Sequence, residues 1–269
     1  MKANCLLGIP PMRLLWVLLV MLLSSAVVES EDGAVTVAQV PSGNLLELDD
    51  GRLVRLAGIR LPTEGARAWQ GLAAQAQAAL AGLAEGRAVR LEPATPVGDR
   101  HGRLVAQLWR DDGLWLQGAL LEQGVVQVQT HPGEVTLAAE MTAREEAARS
   151  AGAGIWAHGL FGSRPAHQVA PLVGSFQIVQ GRIVRVAPTE RYIYLNFGAD
   201  WRSDFTLRVL RSDARGFREA GIKLEQLGGR DVEVRGYVLE AGGPLIELSH
   251  PEQVRVRSGS APTDGEPAS

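Results

Sequence analysis

Arginine is the residue through which this chain can do chemistry. After Lys2 the only lysine is Lys223, so the positive charge sits almost wholly on guanidinium groups, whose planar forks of donors suit phosphate recognition. The run Asp99-Arg100-His101-Gly102-Arg103 sets a histidine between two arginines in a glycine turn. His101 can carry a proton there near neutral pH, or be a solvated turn residue and nothing more. His131, His158, His167 and His250 stand in loops without the spacing of metal ligands. No serine lies in a nucleophile-elbow context, and Gly152-Ala153-Gly154 closes a helix instead of opening one, which leaves no phosphate-cradling loop. Further on, Tyr192, Tyr194, Phe197 and Trp201 stand among arginines. That composition suits base stacking beside a basic groove; the same alternation also suits aromatics on a sheet face.

These groups are carried by a chain of 269 residues, about two domains in length, with 46% hydrophobic and 21% charged residues. Such a balance supports a buried core and argues against wholesale disorder. The formal net charge of −3 lacks the strongly basic signature of a dedicated nucleic-acid binder. Arg13, the apolar run Leu14 to Leu23, and then Ser24, Ser25 and Ala26 follow the order of a secretory signal. Residues 1–30 are therefore expected to be a signal peptide, with the mature protein secreted or periplasmic. The alternative is an uncleaved N-terminal anchor at the inner membrane, although the run is short for a full span. Cys5 lies upstream of the apolar run, misplaced for a lipoprotein site, and leaves the mature chain without a disulfide.

The elements that must position the arginines read as short strands and few helices. Val35-Thr36-Val37, Asn44 to Leu48 and Leu53 to Ile59 are strands, the last two joined by the Asp-Gly hairpin signal of Asp49-Asp50-Gly51-Arg52. Trp69, Leu72, Ala76, Leu80 and Leu83 recur at helical spacing from Glu64 to Glu85, closed by Gly86. Strands follow at Ala88 to Leu91 and Arg103 to Trp109, a helix at Leu116 to Glu122 ended by Gly124, a strand at Val125 to Val128, and a helix from Leu137 to Ala151. Gly159 to Gly174, with Pro165 and Pro171, reads as a linker. Strands then recur at Gln177 to Val186, Tyr192 to Phe197, Asp204 to Leu210, Asp231 to Leu239, Pro244 to Leu248 and Gln253 to Val256, with a short helix near Ala214 to Ala220. The expected fold is α+β: an OB-type barrel with about three helices over residues 34–158, a linker at 159–174, and a second small OB-like barrel over 175–257. The polar tail 258–269 is expected to be disordered.

Three segments in order give a resemblance. They are Val54-Arg55-Leu56-Ala57-Gly58-Ile59-Arg60-Leu61-Pro62, the turn Asp99 to Arg103 with the helix that ends in Gln123-Gly124, and the helix from Ala143 that closes in Gly154-Ile155-Trp156. Together they resemble the staphylococcal nuclease (thermonuclease) family over about Val35 to Ala157. The resemblance implies cleavage of the phosphodiester backbone with one calcium ion held by two aspartates and a backbone carbonyl. A glutamate then serves as general base, and two arginines hold the phosphate.

By that resemblance, the phosphate-binding arginines fall on Arg55 and Arg103. The bland alternatives are an exposed strand residue for Arg55 and a turn arginine paired with Asp99 for Arg103. The metal aspartates fall on Asn44 and Arg60, and the general base on Thr63, which cannot accept a proton near neutral pH. A unit charge pair at about 4 Å is worth ~4 kcal/mol at an effective dielectric of about 20, and Arg60 reverses its sign against a cation. No metal or other cofactor is therefore expected, calcium only if the site works with substitute ligands. Glu64, one residue past the family's base, is the weak substitute candidate. Three functions follow: a degenerate barrel that binds single-stranded nucleic acid or another polyanion, helped by Tyr192, Tyr194 and Trp201, with weak or no nuclease activity; an active phosphodiesterase with substitute ligands; or a cell-envelope structural or interaction protein with a protein partner.

Overall fold

The N-terminal half is a closed five-stranded barrel, in which Leu45–Leu48 and Leu53–Leu56 alternate buried with more exposed residues while Leu104–Arg110 is buried on both faces through its middle. The computed structural model describes residues 35–62, 70–95, 98–159, 161–200 and 202–257. The strands are β1 (Val35–Ser42), β2 (Leu45–Leu48), β3 (Leu53–Leu56), the two-residue β4 (Ile59–Arg60), β5 (Ala88–Pro93), β6 (Leu104–Arg110) and β7 (Gln127–Val128). The barrel order is β1-β2-β3-β6-β5, with β5 returning to β1 and β4 paired separately with β7. In β2 and β3 the inward residues are Leu46, Leu48, Val54 and Leu56, all enclosed in the core. Arg55, one residue out of phase with Val54 and Leu56, necessarily points the other way. The Asp50-Gly51 turn does join β2 to β3, with Gly51 at φ 83°.

Three helices dress this barrel: α1 (Gln70–Ala84), α2 (Leu116–Glu122) and α3 (Ala138–Ala151). Ala76, Leu80 and Ala84 of α1 lie on one stripe and are buried in the barrel core. In α2 every residue except Glu122 is buried. Its Gln117 is polar yet enclosed because both ends of its amide are used: Oε1 accepts from Leu108 N–H at 3.2 Å and Nε2 donates to the Ala106 carbonyl at 2.9 Å. The Gln123-Gly124 and Gly154-Ile155-Trp156 motifs meet each other. Ile155 N–H donates to the Gly124 carbonyl at 2.9 Å, and a Cβ on Gly124 or Gly154 would come within 2.3 Å of backbone oxygen.

The second sheet comprises β8 (Arg164–Pro165), β9 (Phe176–Arg182), β10 (Arg185–Pro188), β11 (Tyr192–Asn196), β12 (Thr206–Leu210), β13 (Asp231–Glu240), β14 (Pro244–Leu248) and β15 (Val254–Val256). Its order is β10-β11-β12-β14-β13-β9-β8, with β15 on β13. The stretch from Gln177 to Val186, expected as one strand, is two. Only Ile183 and Val184 separate β9 from β10, and these flank opposite ends of the order, β13 and β11 respectively. One bent run thus supplies the edge strand β10 and, one strand in from the other edge, β9, and the sheet curls as a half-barrel. The helix α4 (Ala214–Glu219) drops the fully buried Phe217 into its core. The segment between the two sheets docks along the second: β8 pairs with β9, and Val169 is buried in the second core.

The described residues, 35–257, belong to one compact unit, and α3 is where the barrel and the second sheet meet. Arg235 of β13 pairs with Glu145 of α3 at 2.8 Å and donates to the Val128 carbonyl at 3.2 Å. Arg149 reaches Glu233 at 3.2 Å, and Arg255 of β15 pairs with both Glu146 and Glu233. Ile178 of β9 joins Ala148, Ile155 and Trp156 in a small apolar cluster across the same seam. Among the described residues no helix is long and apolar enough to cross a membrane.

Candidate functional site

Arg55 and Arg103 come together because β3 and β6 run parallel and adjacent, with Arg55 opposite Val105. Arg103 sits at the foot of β6, where the chain leaves a tight turn. Asp99 N–H donates to the Arg103 carbonyl and Gly102 N–H to the Asp99 carbonyl, both at 2.8 Å, with Gly102 at φ 72°. That turn fixes the Asp99 carboxylate between the two guanidinium groups. Its Oδ2 lies 2.8 Å from Arg103 Nε, 2.7 Å from Arg103 Nη2 and 3.5 Å from Arg55 Nε.

A second carboxylate arrives from a distant loop. Glu134, 79 residues beyond Arg55, accepts from Arg55 Nη2 at 2.6 Å through Oε1. Its Oε2 is buried with no hydrogen-bond partner among the described residues. Arg55, Asp99 and Glu134 are largely enclosed, with side-chain exposures of 16%, 14% and 9%. Burial alone would push the Asp99 carboxyl up. The Arg103 side chain, the His101 and Arg103 N–H groups and the Arg103 charge outweigh it and hold Asp99 well below the usual carboxylate range. The arrangement is a neutral four-residue cluster, two cations against two anions. His101 stays on its exposed rim, accepting from Arg100 Nε at 3.1 Å.

The other residues singled out in the sequence are elsewhere. Asn44 lies in the β1–β2 hairpin, where its Oδ1 accepts from Ser42 Oγ at 3.0 Å and its carbonyl from Leu56 N–H at 2.9 Å. Arg60 is 5% exposed. It donates to Gln127 Oε1 at 2.6 Å, and its guanidinium carbon stands 4.6 Å from the Phe176 ring centroid and 5.8 Å from that of Tyr237. Both rings belong to the second sheet, so Arg60 ties the β4–β7 pair to that sheet. Thr63, Glu64 and Trp201 lie outside the described residues. Among the described residues no group of three His, Cys, Asp or Glu is placed to hold a metal ion.

Tyr192 and Tyr194 alternate with Ile193 and Leu195, which are buried in the second core, so both tyrosines stand on the outer face of that sheet. Tyr192 is covered by cations, with Arg208 at 4.8 Å and Arg191 at 5.2 Å from its ring centroid. Tyr194 instead lines a cavity of about 430 Å³ together with Arg185, Asn196, Thr206 and the Gly242–Gly243 hairpin. Glu134 had escaped sequence reading, since nothing local to His131-Pro132-Gly133-Glu134 shows which distant strand it will meet.

Comparison with known proteins bears on the first of these sites. The family model for the staphylococcal nuclease homologue matches residues 53–158, which takes in Arg55, Arg60, Asp99, Arg103 and Glu134 and leaves β1, β2 and Asn44 upstream. A search of curated proteins found no match.

Proposed function

We propose, for a chain whose residues 53–158 are a staphylococcal nuclease homologue domain, an exported protein that binds single-stranded nucleic acid or another polyanion and cleaves it weakly or not at all. The observation that supports weak or absent cleavage is the shared hold of Asp99 on Arg55 and Arg103, completed by Glu134 on Arg55. A phosphate entering the cluster must displace internal carboxylates from both arginines. The charge that would stabilise a phosphorane-like transition state is thus already spoken for.

The residues at the remaining family positions do not suit calcium. Asn44 offers an oxygen without charge, and Arg60 offers a buried cation tied to Gln127 and two rings. Calcium has no part in the proposed function, and export by residues 1–30 is part of the same proposal. The test is cleavage of single-stranded DNA with and without calcium by residues 31–269, beside Arg103→Ala, together with DNA binding at low salt. The expected result is no calcium-stimulated cleavage and binding that weakens steeply with salt. Calcium-stimulated cleavage abolished in Arg103→Ala overturns the reading. Absence of binding to any nucleic acid at low salt leaves an envelope structural or interaction protein instead.

One observation favours hydrolysis through substitute groups as the second reading. Glu134 places a carboxylate oxygen without a partner among the described residues beside Arg55, as a general base activating water requires. Residual cleavage lost in Glu134→Gln but kept in Glu64→Gln would assign that role to Glu134.

A further inference from the structure

The outer face of the second sheet carries an opening in which arginine and an aromatic ring meet, and strand register builds it. Ala187, Tyr194 and Arg208 stand directly opposite one another across β10, β11 and β12, as do Arg185, Asn196 and Thr206 in the next row. Leu245 of β14 extends the second row. Arg185 is therefore the diagonal neighbour of Tyr194, about 7–8 Å away by ordinary sheet spacing. A nucleobase and its own phosphate are separated by a span of that order.

The groups on this face differ in what they already hold, and the Tyr194 ring leans one edge on that of Tyr192, centroids 5.8 Å apart and tilted by 54°. Arg208 is bound to Glu247 at 2.9 Å and covers Tyr192. Arg185 has no hydrogen-bond, ion-pair or ring partner among the described residues, and neither has the Tyr194 hydroxyl a hydrogen-bond partner there. Asn196 and Thr206 form the floor, 7% and 6% exposed. The single Thr206 hydroxyl proton has two acceptors in reach, Asn196 Oδ1 at 3.3 Å and the Asp204 carbonyl at 3.4 Å, while the Asn196 amide N–H donors are unpaired among the described residues. Gly242 and Gly243 form the rim at φ 73° and 125°, where any side chain would be strained and would narrow the opening. The cavity of about 430 Å³ suits one nucleotide better than a long strand in full contact.

The geometry points to this cleft as a nucleotide site, with the base stacked on Tyr194, the phosphate on Arg185 and the Asn196 amide reading a ring or sugar oxygen. The shared chemistry is a planar ring joined to a phosphate, supplied either by a free mononucleotide or by one unit of a single strand. This inference rests on the reading of the chain as a nucleic-acid binder, and it moves the binding from the neutralised barrel cluster to the second sheet.

The experiment measures equilibrium binding of AMP and of a labelled ten-residue oligothymidylate to the mature chain at low salt. Heparin serves as a polyanion without bases. Tyr194→Ala is expected to weaken oligothymidylate about 5- to 150-fold, the range of a single stacked base, while Tyr194→Phe, which keeps the ring, stays near wild type. Arg185→Ala is expected to lower the slope of affinity against salt by about one phosphate. Arg215→Ala, at an exposed arginine paired with Glu219, is expected to leave both unchanged. Affinity for AMP equal to that for the oligomer identifies a free nucleotide as ligand, and tighter binding of the oligomer identifies a strand. Binding lost in Arg103→Ala but unaffected by Tyr194→Ala and Arg185→Ala overturns this inference while the broader reading stands. Heparin binding equal to that of the oligomer and indifferent to Tyr194→Ala overturns it likewise. No binding of any probe overturns both.

Discussion

The guanidinium of Arg235 and the carboxylate of Glu145 meet at 2.8 Å across the seam between the two sheets, with side chains only 7% and 1% exposed. Neither has water to fall back on, so each depends on the other and on Val128, whose N–H donates to Glu145 at 2.7 Å and whose carbonyl accepts from Arg235. Arg235→Ala strands a buried carboxylate and is expected to cost about 3–5 kcal/mol. Denaturant unfolding followed by tryptophan fluorescence measures it. A loss under about 1 kcal/mol would mean that the seam is held by its other pairs.

Gly124 stands at φ 65°, and a Cβ there would lie 2.3 Å from the Ala153 carbonyl oxygen. Strain from the left-handed backbone and overpacking against a neighbouring main chain add, and Gly124→Ala is expected to destabilise the barrel by about 2–4 kcal/mol. Thermal unfolding of the variant, compared with Gly51→Ala, separates the two effects. Gly51 has positive φ but, among the described residues, nothing within 4 Å of its Cβ site, so its loss reports backbone strain alone.

His250 is held neutral at the seam. Burial first, and the nearby His131 charge second, lower its pKa from 6.5 to about 4. Its ring bonds Thr130 Oγ1 at 2.7 Å and Ser249 Oγ at 3.0 Å. The unfolded chain takes up its proton near pH 6.5 and the folded chain only near pH 4, so folding stability falls as pH drops between those values. Melting temperature measured across pH 7 to 4 is expected to decline less in His250→Gln than in wild type. Parallel curves would assign the acid sensitivity to other groups.

Asp99 behaves in the opposite sense to a buried neutral group, since its carboxyl is held below its ordinary value of 3.8 by the surrounding donors in spite of burial. Its contribution is complete above pH 3.8 and is lost as pH falls below that value towards the depressed folded pKa. Asp99→Asn is expected to flatten stability in that acid range and, by releasing charge on Arg55 and Arg103, to strengthen phosphate binding at the barrel. Binding of inorganic phosphate, followed by 31P chemical shift, checks the second effect; unchanged affinity would mean that Glu134 alone suffices to close the cluster.

Much of this molecule was legible in its sequence. The Asp50-Gly51 hairpin, the apolar alternation of β2 and β3, α2 from Leu116 to Glu122 and the paired motifs around Gly124 and Gly154 all rest on interactions between near neighbours or on backbone angles that only certain residues adopt. Those are properties of short stretches, and a short stretch displays them. The pairing of Arg103 with Asp99 belongs with them, because four residues of turn decide it.

What tertiary structure alone decided is the environment of the same arginines. Glu134 reaches Arg55 from 79 residues away, Arg60 packs on Phe176 and Tyr237 of another sheet, and one bent run supplies both β9 and β10. No periodicity encodes which distant side chain will stand beside a given charge. That follows from how the whole chain closes, and at Arg55 it determines whether a guanidinium awaits a phosphate or is already answered by a carboxylate.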